Sequence, residues 1–239
     1  MNNFFLDKSD NNFGVLALID PDLKNDKILD NLISSINDND FSGVLVGGSS
    51  ISDHKYEERL KKIKTNINKP VILFPGSSNQ ISKFSDAILF TSLLSGRNPK
   101  YLIDEQVNGV KFIKKYNLPV IPTGYLLIGG NSQTSVEIKS QTEPLDPEDY
   151  ENILNHVLVA EYFGMSFIYL ENGSGAENCI DCKLIEYLNS RIKIPMIVGG
   201  GVTTKNSILD LKKAGAQFVV LGTVLEQNPN SEFISNLLS

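Results

Sequence analysis

"FIYLENGSGAE", residues 167–177, runs four apolar or aromatic residues into a lone carboxylate, Glu171, and then into a Gly-Ser-Gly turn. Such a run ending in glycine reads as a buried strand leaving its sheet. The residues after the turn read as a helix beginning near residue 176. One unit of this kind does not define a fold, but its recurrence does. Similar runs appear as "GVLALID" 14–20, "GVLVGGS" 43–49, "PVILFPG" 70–76, "DAILFTS" 86–92, "PVIPTGYLLI" 119–128, "IPMIVGG" 194–200 and "FVVLGTV" 218–224. All are near-continuous in hydrophobicity, as strands covered on both faces of a parallel sheet are. Amphipathic helical patterns fill most of the gaps, over 24–37, 55–67, 101–116, 147–163 and 204–214. Eight β-then-α units predict an α/β fold, a (β/α)8 TIM barrel spanning 1–239 as a single domain, with an open doubly wound sheet as the alternative.

Two gaps break the rhythm. The third and fourth runs are linked only by "SSNQISKFS" 77–85, too short for a crossover helix and its two loops. The third helix is therefore expected to be missing or vestigial. Between the fifth and sixth runs, "GGNSQTSVEIKSQTEPLDPED" 129–149 reads as a mobile loop over the active face, with "DPED" as a helix start.

Hydrophobic residues make up 41% of the 239 and charged residues 21%, an ordinary globular composition with ample core material. A net charge of −6 argues against a general nucleic-acid binder. No run approaches the roughly 18 apolar residues of a membrane span, and the N-terminus lacks a secretory pattern, so a cytoplasmic location is expected. Peripheral contact with a bilayer is compatible with that. The two cysteines form "CIDC", Cys179 and Cys182. With only His54 and His156 as further soft ligands, both remote in sequence, they read as small residues near a helix start rather than a zinc site.

Barrel chemistry collects at the C-terminal strand ends. There the sequence offers Asp20 and Asp22, Gly47–Ser50, Thr91–Ser92, Thr123–Tyr125, Glu171–Ser174, Gly199–Gly201 and Gly222–Thr223, with no His or Cys triad. "VGGGVTT" 198–204 and "LGTV" 221–224 end strands seven and eight, where barrels commonly cradle a phosphate on backbone amides. Asp20, with the Ser49 hydroxyl nearby in sequence order, suits Mg²⁺, a cation that rests on one or two carboxylates plus substrate phosphates. The competing reading is that Asp20-Pro21-Asp22 starts a turn and caps a helix.

Taken together, "LIDPD", "LVGGSS", "FPGSSNQIS", "FTSLLSGRNPKYLI", "IPTGYLLI", "YLENGSGA" and "VGGGV" resemble the geranylgeranylglyceryl phosphate synthase family, which includes heptaprenylglyceryl phosphate synthases. The resemblance covers nearly the whole chain and is closest to the second of the family's two broad groups. It implies Mg²⁺-dependent transfer of a polyprenyl group, by expectation geranylgeranyl, from its diphosphate to sn-glycerol 1-phosphate, releasing pyrophosphate. It also implies a homo-oligomer. Carried over, Asp20 and Ser49 hold Mg²⁺, while Tyr169, Leu170, Glu171, Asn172, Gly173, Ser174, Gly175, Gly200, Gly201, Gly222 and Thr223 hold glycerol phosphate, with Glu171 as the base. The chain departs from many relatives in having Leu23 before Lys24 after "DPD", and Thr223 where Asn is frequent. "SLL" 92–94 and "YLLI" 125–128 are candidates to line a groove for the prenyl tail. The alternatives are a sugar-phosphate isomerase or epimerase, a non-catalytic phosphate binder on the same scaffold, and, for Glu171, a mere helix cap.

Overall fold

The computed structural model describes residues 13–48, 53–129 and 134–239. Eight strands follow in chain order: β1 (Gly14–Ile19), β2 (Gly43–Val46), β3 (Val71–Leu73), β4 (Ala87–Leu93), β5 (Val120–Leu127), β6 (Phe167–Glu171), β7 (Met196–Gly199) and β8 (Phe218–Leu221). Each pairs in parallel with the next, and β8 returns to β1, so the sheet closes into a barrel. The closure rules out an open sheet.

Side chains alternate along each strand, so closure sorts them into two cores. Leu16, Leu45, Ile72, Leu89, Phe167, Ile197 and Phe218 fill the barrel axis. Their neighbours Val15, Val44, Leu73, Ile168, Val198 and Val219 face the surrounding helices. Both sets are buried, which is why each strand reads as an unbroken apolar run rather than an alternation.

The surrounding helices are α1 (Leu29–Asp38), α2 (Tyr56–Asn66), α3 (Glu105–Tyr116), α4 (Ser135–Ser140), α5 (Tyr150–Tyr162), α6 (Cys182–Asn189), α7 (Lys205–Ala214), α8 (Thr223–Gln227) and α9 (Ser231–Leu238). Between β3 and β4 there is only one 3₁₀ turn, Ser78–Gln80, so the third helix of the barrel is missing. Buried Gln80 fixes this link by donating from Nε2 to the Gly48 carbonyl at 2.9 Å and accepting the Gly76 amide at 3.0 Å.

Several boundaries differ from the sequence reading. The pattern over 24–37 splits into a 3₁₀ turn, Leu23–Asn25, and α1, because the Asp22 side chain caps the turn and the buried Asn25 side chain donates to the Asp20 carbonyl at 2.8 Å. The pattern over 101–116 opens with wider π-type turns, Lys100–Asp104, before α3. Within 129–149 the described part is not a bare loop. Thr134 and Glu137 close a capping box on α4, and Leu145 pairs back to the end of β5 through its amide to the Leu127 carbonyl at 2.9 Å. The helix placed near residue 176 begins at Cys182, where Asp181 supplies the cap to the Lys183 amide at 2.9 Å. Both cysteines are free and half-buried, with Cys182 opening α6, as expected of small residues at a helix start.

Leu45 is fully buried on the barrel axis, whereas Leu209 lies 38% exposed on α7. Leu45→Ala is expected to cost about 2–5 kcal/mol of unfolding free energy in urea titrations. Leu209→Ala should stay within about 0.5 kcal/mol. Equal costs at the two positions would contradict the two-core arrangement.

Candidate active site

The strand ends surround a cavity of about 480 Å³. Three rings form its floor on the barrel axis: Phe74 stacks on Tyr169 at 5.0 Å between centroids, and Tyr125 tilts against both at 5.8 and 5.3 Å. The Tyr169 hydroxyl is buried beside the Glu171 carboxylate and, among the described residues, has no other hydrogen-bond partner.

On one side of the cavity, β6 and β7 end together, with Glu171 in register with Gly199. A β-carbon at Gly199 would stand 2.3 Å from the Tyr169 hydroxyl and 3.0 Å from Glu171 Oε2. Gly200 and Gly201 both take positive φ, +84° and +69°, and a β-carbon at Gly201 would stand 2.0 Å from the Asn178 carbonyl oxygen. Only glycine fits this crossing of three backbones. Glu171 is 7% exposed, and its Oε1 accepts the Gly173 amide at 2.8 Å. Burial pushes its pKa up to about 7, outweighing the opposing Gly173 amide and Tyr169 hydroxyl. Glu171 caps no helix, since its partner belongs to the turn and α6 starts eleven residues later.

The turn after β6 reaches the start of α8. Ser174 Oγ lies 3.4 Å from Thr223 Oγ1, and Gly175, Gly200, Gly201, Gly222 and Thr223 all line the same end of the cavity. Gly222 itself has negative φ, with Leu18 at ordinary contact distance from where a β-carbon would sit, so the fold does not demand glycine there. The remaining carried-over residues point elsewhere. Leu170 faces the helix-side core, and Asn172 donates from Nδ2 to the Asn178 carbonyl at 2.7 Å, holding the loop that backs Gly201.

Across the cavity, Asp20 ends β1 with its carboxylate at Gly48, where a β-carbon would come within 2.3 Å of Oδ1. Burial raises its pKa, while Lys24 pulls it down. Lys24 Nζ lies 3.1 Å from Asp20 Oδ2 and 3.4 Å from Glu226 Oε2. Asn25 anchors Glu226 Oε1 at 2.8 Å. In the 3₁₀ turn after "DPD" Leu23 is 56% exposed, and Lys24, whose side chain is also 56% exposed, turns its ammonium toward Asp20 and Glu226 at the cavity edge. The cap assigned to the Asp20–Asp22 stretch belongs to Asp22 alone. Ser49 lies outside the described residues. Among them, no cluster of three or more His, Cys, Asp and Glu side chains is arranged to hold a metal ion.

Glu226 is the residue that sequence reasoning missed. Its signal was available, since it lies one helical turn beyond Gly222 in "GTVLE". Of the proposed tail-lining stretches, only Leu93 and Tyr125 reach the cavity; Leu94, Leu126 and Ile128 belong to the helix-side core. The wall there is instead made by both faces of β4, with inward-facing Leu89 and Leu93 and outward-facing Ile88 and Phe90 joined by Ile81, Tyr101 and Gln106.

The sequence model of one family, described as the PcrB family, matches residues 9–238. A geranylgeranylglyceryl phosphate synthase of Flavobacterium johnsoniae is 42% identical over 211 residues, 88% of this chain and 87% of that one. Among solved structures, wild-type GGGPS from Thermoplasma volcanium is 32% identical with a TM-score of 0.86, covering 95% of this chain and 91% of that one. The (S)-3-O-geranylgeranylglyceryl phosphate synthase of Thermoplasma acidophilum, in complex with its substrate sn-glycerol-1-phosphate, is 28% identical with a TM-score of 0.86, covering 95% and 92%.

Because the Tyr169 hydroxyl pairs only with the Glu171 carboxylate among the described residues, Tyr169→Phe should change unfolding free energy by no more than about 1 kcal/mol. A larger loss in urea titrations would mean that the hydroxyl is bonded more strongly within the protein.

Proposed function

Since the chain belongs to the PcrB family, we propose that it transfers a polyprenyl group from its diphosphate to the C3 hydroxyl of sn-glycerol 1-phosphate, forming an ether lipid and releasing pyrophosphate. The observation that carries this reading is the placement of one buried, high-pKa carboxylate, Glu171, beside a glycine-lined end of the cavity and opposite a charged pocket at Asp20.

In this reading the glycerol phosphate lies along the β6–β8 ends. Backbone amides of Gly200, Gly201, Gly222 and Thr223, with the Ser174 and Thr223 hydroxyls, receive the phosphate. Its far end reaches Glu171, beside which the Tyr169 hydroxyl lies. Glu171 accepts the C3 hydroxyl proton as the oxygen bonds to prenyl C1 and the C1–O bond to diphosphate breaks. A carboxyl with a pKa near 7 suits that exchange, because it is ionised in part at neutral pH and basic enough to hold the proton. The prenyl tail runs over the aromatic floor to the apolar wall at β4.

The oxygen donors at β1 fit a hard divalent cation, with Asp20 as the protein ligand in the described residues and Ser49 as the expected second. Mg²⁺ bound there supplies charge stabilisation for the departing diphosphate. Lys24, held in the cavity by Asp20 and Glu226, brings a cation within reach of the same diphosphate. The isomerase reading has weaker support, because the second carboxylate it requires, Asp20, is held in an ion pair.

The direct test is incubation with sn-glycerol 1-phosphate, Mg²⁺ and a ladder of prenyl diphosphates, with product mass measured. Ligand binding without an ether product at any chain length would favour the non-catalytic alternative. Glu171→Gln is expected to lower turnover about 10²–10⁴-fold while glycerol phosphate still binds. In the wild type, turnover should rise as pH climbs through about 7, and the variant should lose that limb. Stability moves the other way. The folded protein keeps a proton on Glu171 that the unfolded chain releases, so unfolding becomes easier between the ordinary carboxylate pKa and about 7. Near-wild-type turnover in Glu171→Gln would remove the base role.

A further inference from the structure

Arg59, near the start of α2, is 4% exposed yet does not line the cavity at the strand ends. Its guanidinium is shared between two carboxylates. Nε donates to Asp26 Oδ1 at 2.5 Å and Nη2 to Asp26 Oδ2 at 2.9 Å. Nη1 donates to Asp53 Oδ1 at 2.6 Å and Nη2 to Asp53 Oδ2 at 2.8 Å, and Nη1 also reaches the Pro21 carbonyl at 3.5 Å. A buried ion pair is a weak source of stability, because desolvating the charges offsets most of their attraction. What a double fork supplies is direction, since the planar guanidinium meets each carboxylate in one geometry. Those hydrogen bonds hold Asp53 down at about 2 and lower Asp26 as well, so the fork stays ionised where Glu171 titrates.

The two acids come from different strand-helix junctions. Asp53 lies between β2 and α2, whereas Asp26 closes the 3₁₀ turn Leu23–Asn25 after β1, and Pro21 directly follows Asp20. Arg59 therefore grips the stretch 21–26 at both ends. Between those grips stand Lys24, which meets Asp20 and Glu226, and Asn25, which ties Glu226 to the end of β1. The grip has a firm base. Three residues earlier on the same face of α2, the buried Tyr56 hydroxyl donates to the Gln80 carbonyl at 2.7 Å. Gln80 in turn donates to the Gly48 carbonyl, beside the Asp20 carboxylate.

We propose that Arg59 is a positioning residue for the diphosphate: from outside the cavity it fixes the turn after β1, and with it the place of Lys24 against Asp20 and Glu226. The inference rests on the transferase reading above, which makes this ionic end the diphosphate end. Arg59 touches no reacting atom and acts through Lys24 and Asp20. Misplacing such groups by about 1 Å can cost on the order of 10²-fold, even when the change is made far from the chemistry.

The test is calorimetric titration of the full chain with inorganic pyrophosphate and Mg²⁺, and separately with sn-glycerol 1-phosphate, which reads the two ends of the cavity without turnover. Arg59→Lys keeps the charge but cannot fork onto two carboxylates. Asp26→Asn weakens only the tie to the turn and leaves Arg59 on Asp53. Both variants should bind pyrophosphate at least about tenfold more weakly and show a KM for prenyl diphosphate raised by a similar factor. Their affinity for glycerol phosphate should stay within about twofold of wild type. Lys64→Met removes a 2.7 Å pair with Asp86 from the last turn of the same helix and should leave both affinities unchanged. Should Arg59→Lys fail to fold, Asp26→Asn decides, because the Asp26 side chain is 37% exposed. Wild-type pyrophosphate affinity in Asp26→Asn would overturn the proposal. So would an equal loss of both ligands, which marks Arg59 as a support of the whole fold, or weakened pyrophosphate binding in Lys64→Met. Wild-type protein that binds pyrophosphate but forms no ether product would overturn the transferase reading instead, and wild-type protein that does not bind pyrophosphate would overturn both.

Discussion

Where β6 and β7 end side by side there is no space for a β-carbon. Gly199 sits against the Tyr169 hydroxyl and Glu171, Gly200 against the Gly173 backbone, and Gly201 against the Asn178 carbonyl. This close approach seals Glu171 from water while leaving its carboxylate at the cavity wall. The weakened acidity of Glu171 follows from that crowding, because a carboxylate deprived of solvent resists ionisation. The neighbouring glycines and the Ser174–Thr223 contact are brought to the same end of the cavity by the same approach. Substituting Gly199 or Gly200 would move the acid as well as the turn beside it.

The opposite rim is built on charge rather than on close packing. Asp20, Lys24 and Glu226 come from β1, the turn after it and α8, and Asn25 links Glu226 to the end of β1. Because β8 pairs with β1, barrel closure brings the last strand-helix junction next to the first. A charge cluster that is 202 residues apart in sequence is thereby local in space. The two rims thus differ in character: one end of the cavity is lined by glycines and hydroxyls beside a buried carboxyl, and the other is ionic.

The barrel was legible because burial on both faces leaves eight unmistakable apolar runs, and the missing helix because nine residues cannot span a crossover. The Gly-rich strand ends were legible for the same reason, since in this fold position along the strand decides function. What escaped was set by tertiary contacts. Glu226 gains its place only through barrel closure. Leu170 falls away from the site because alternation turns it toward the helices, as a count along "YLENGSG" starting from Tyr169 would have indicated. The tail wall was assigned to "SLL" and "YLLI" as blocks, although only Leu93 and Tyr125 of those stretches reach the cavity. The short α4 carried its capping-box signature, Thr134 and Glu137, inside a stretch whose polarity suggested a loop.

A barrel of eight strands has a radius fixed by strand number and stagger, and its axis is already filled with side chains. It cannot be widened to admit a long apolar molecule without losing closure. Omitting one helix from the outer ring sidesteps that limit. It uncovers the outward face of β4, so Ile88 and Phe90 face the same space as Leu89 and Leu93, and a single strand becomes a partition with ligand-accessible surface on both sides. Room is gained by subtraction at the periphery, and the geometry of the strands that position the reacting groups is left as it was.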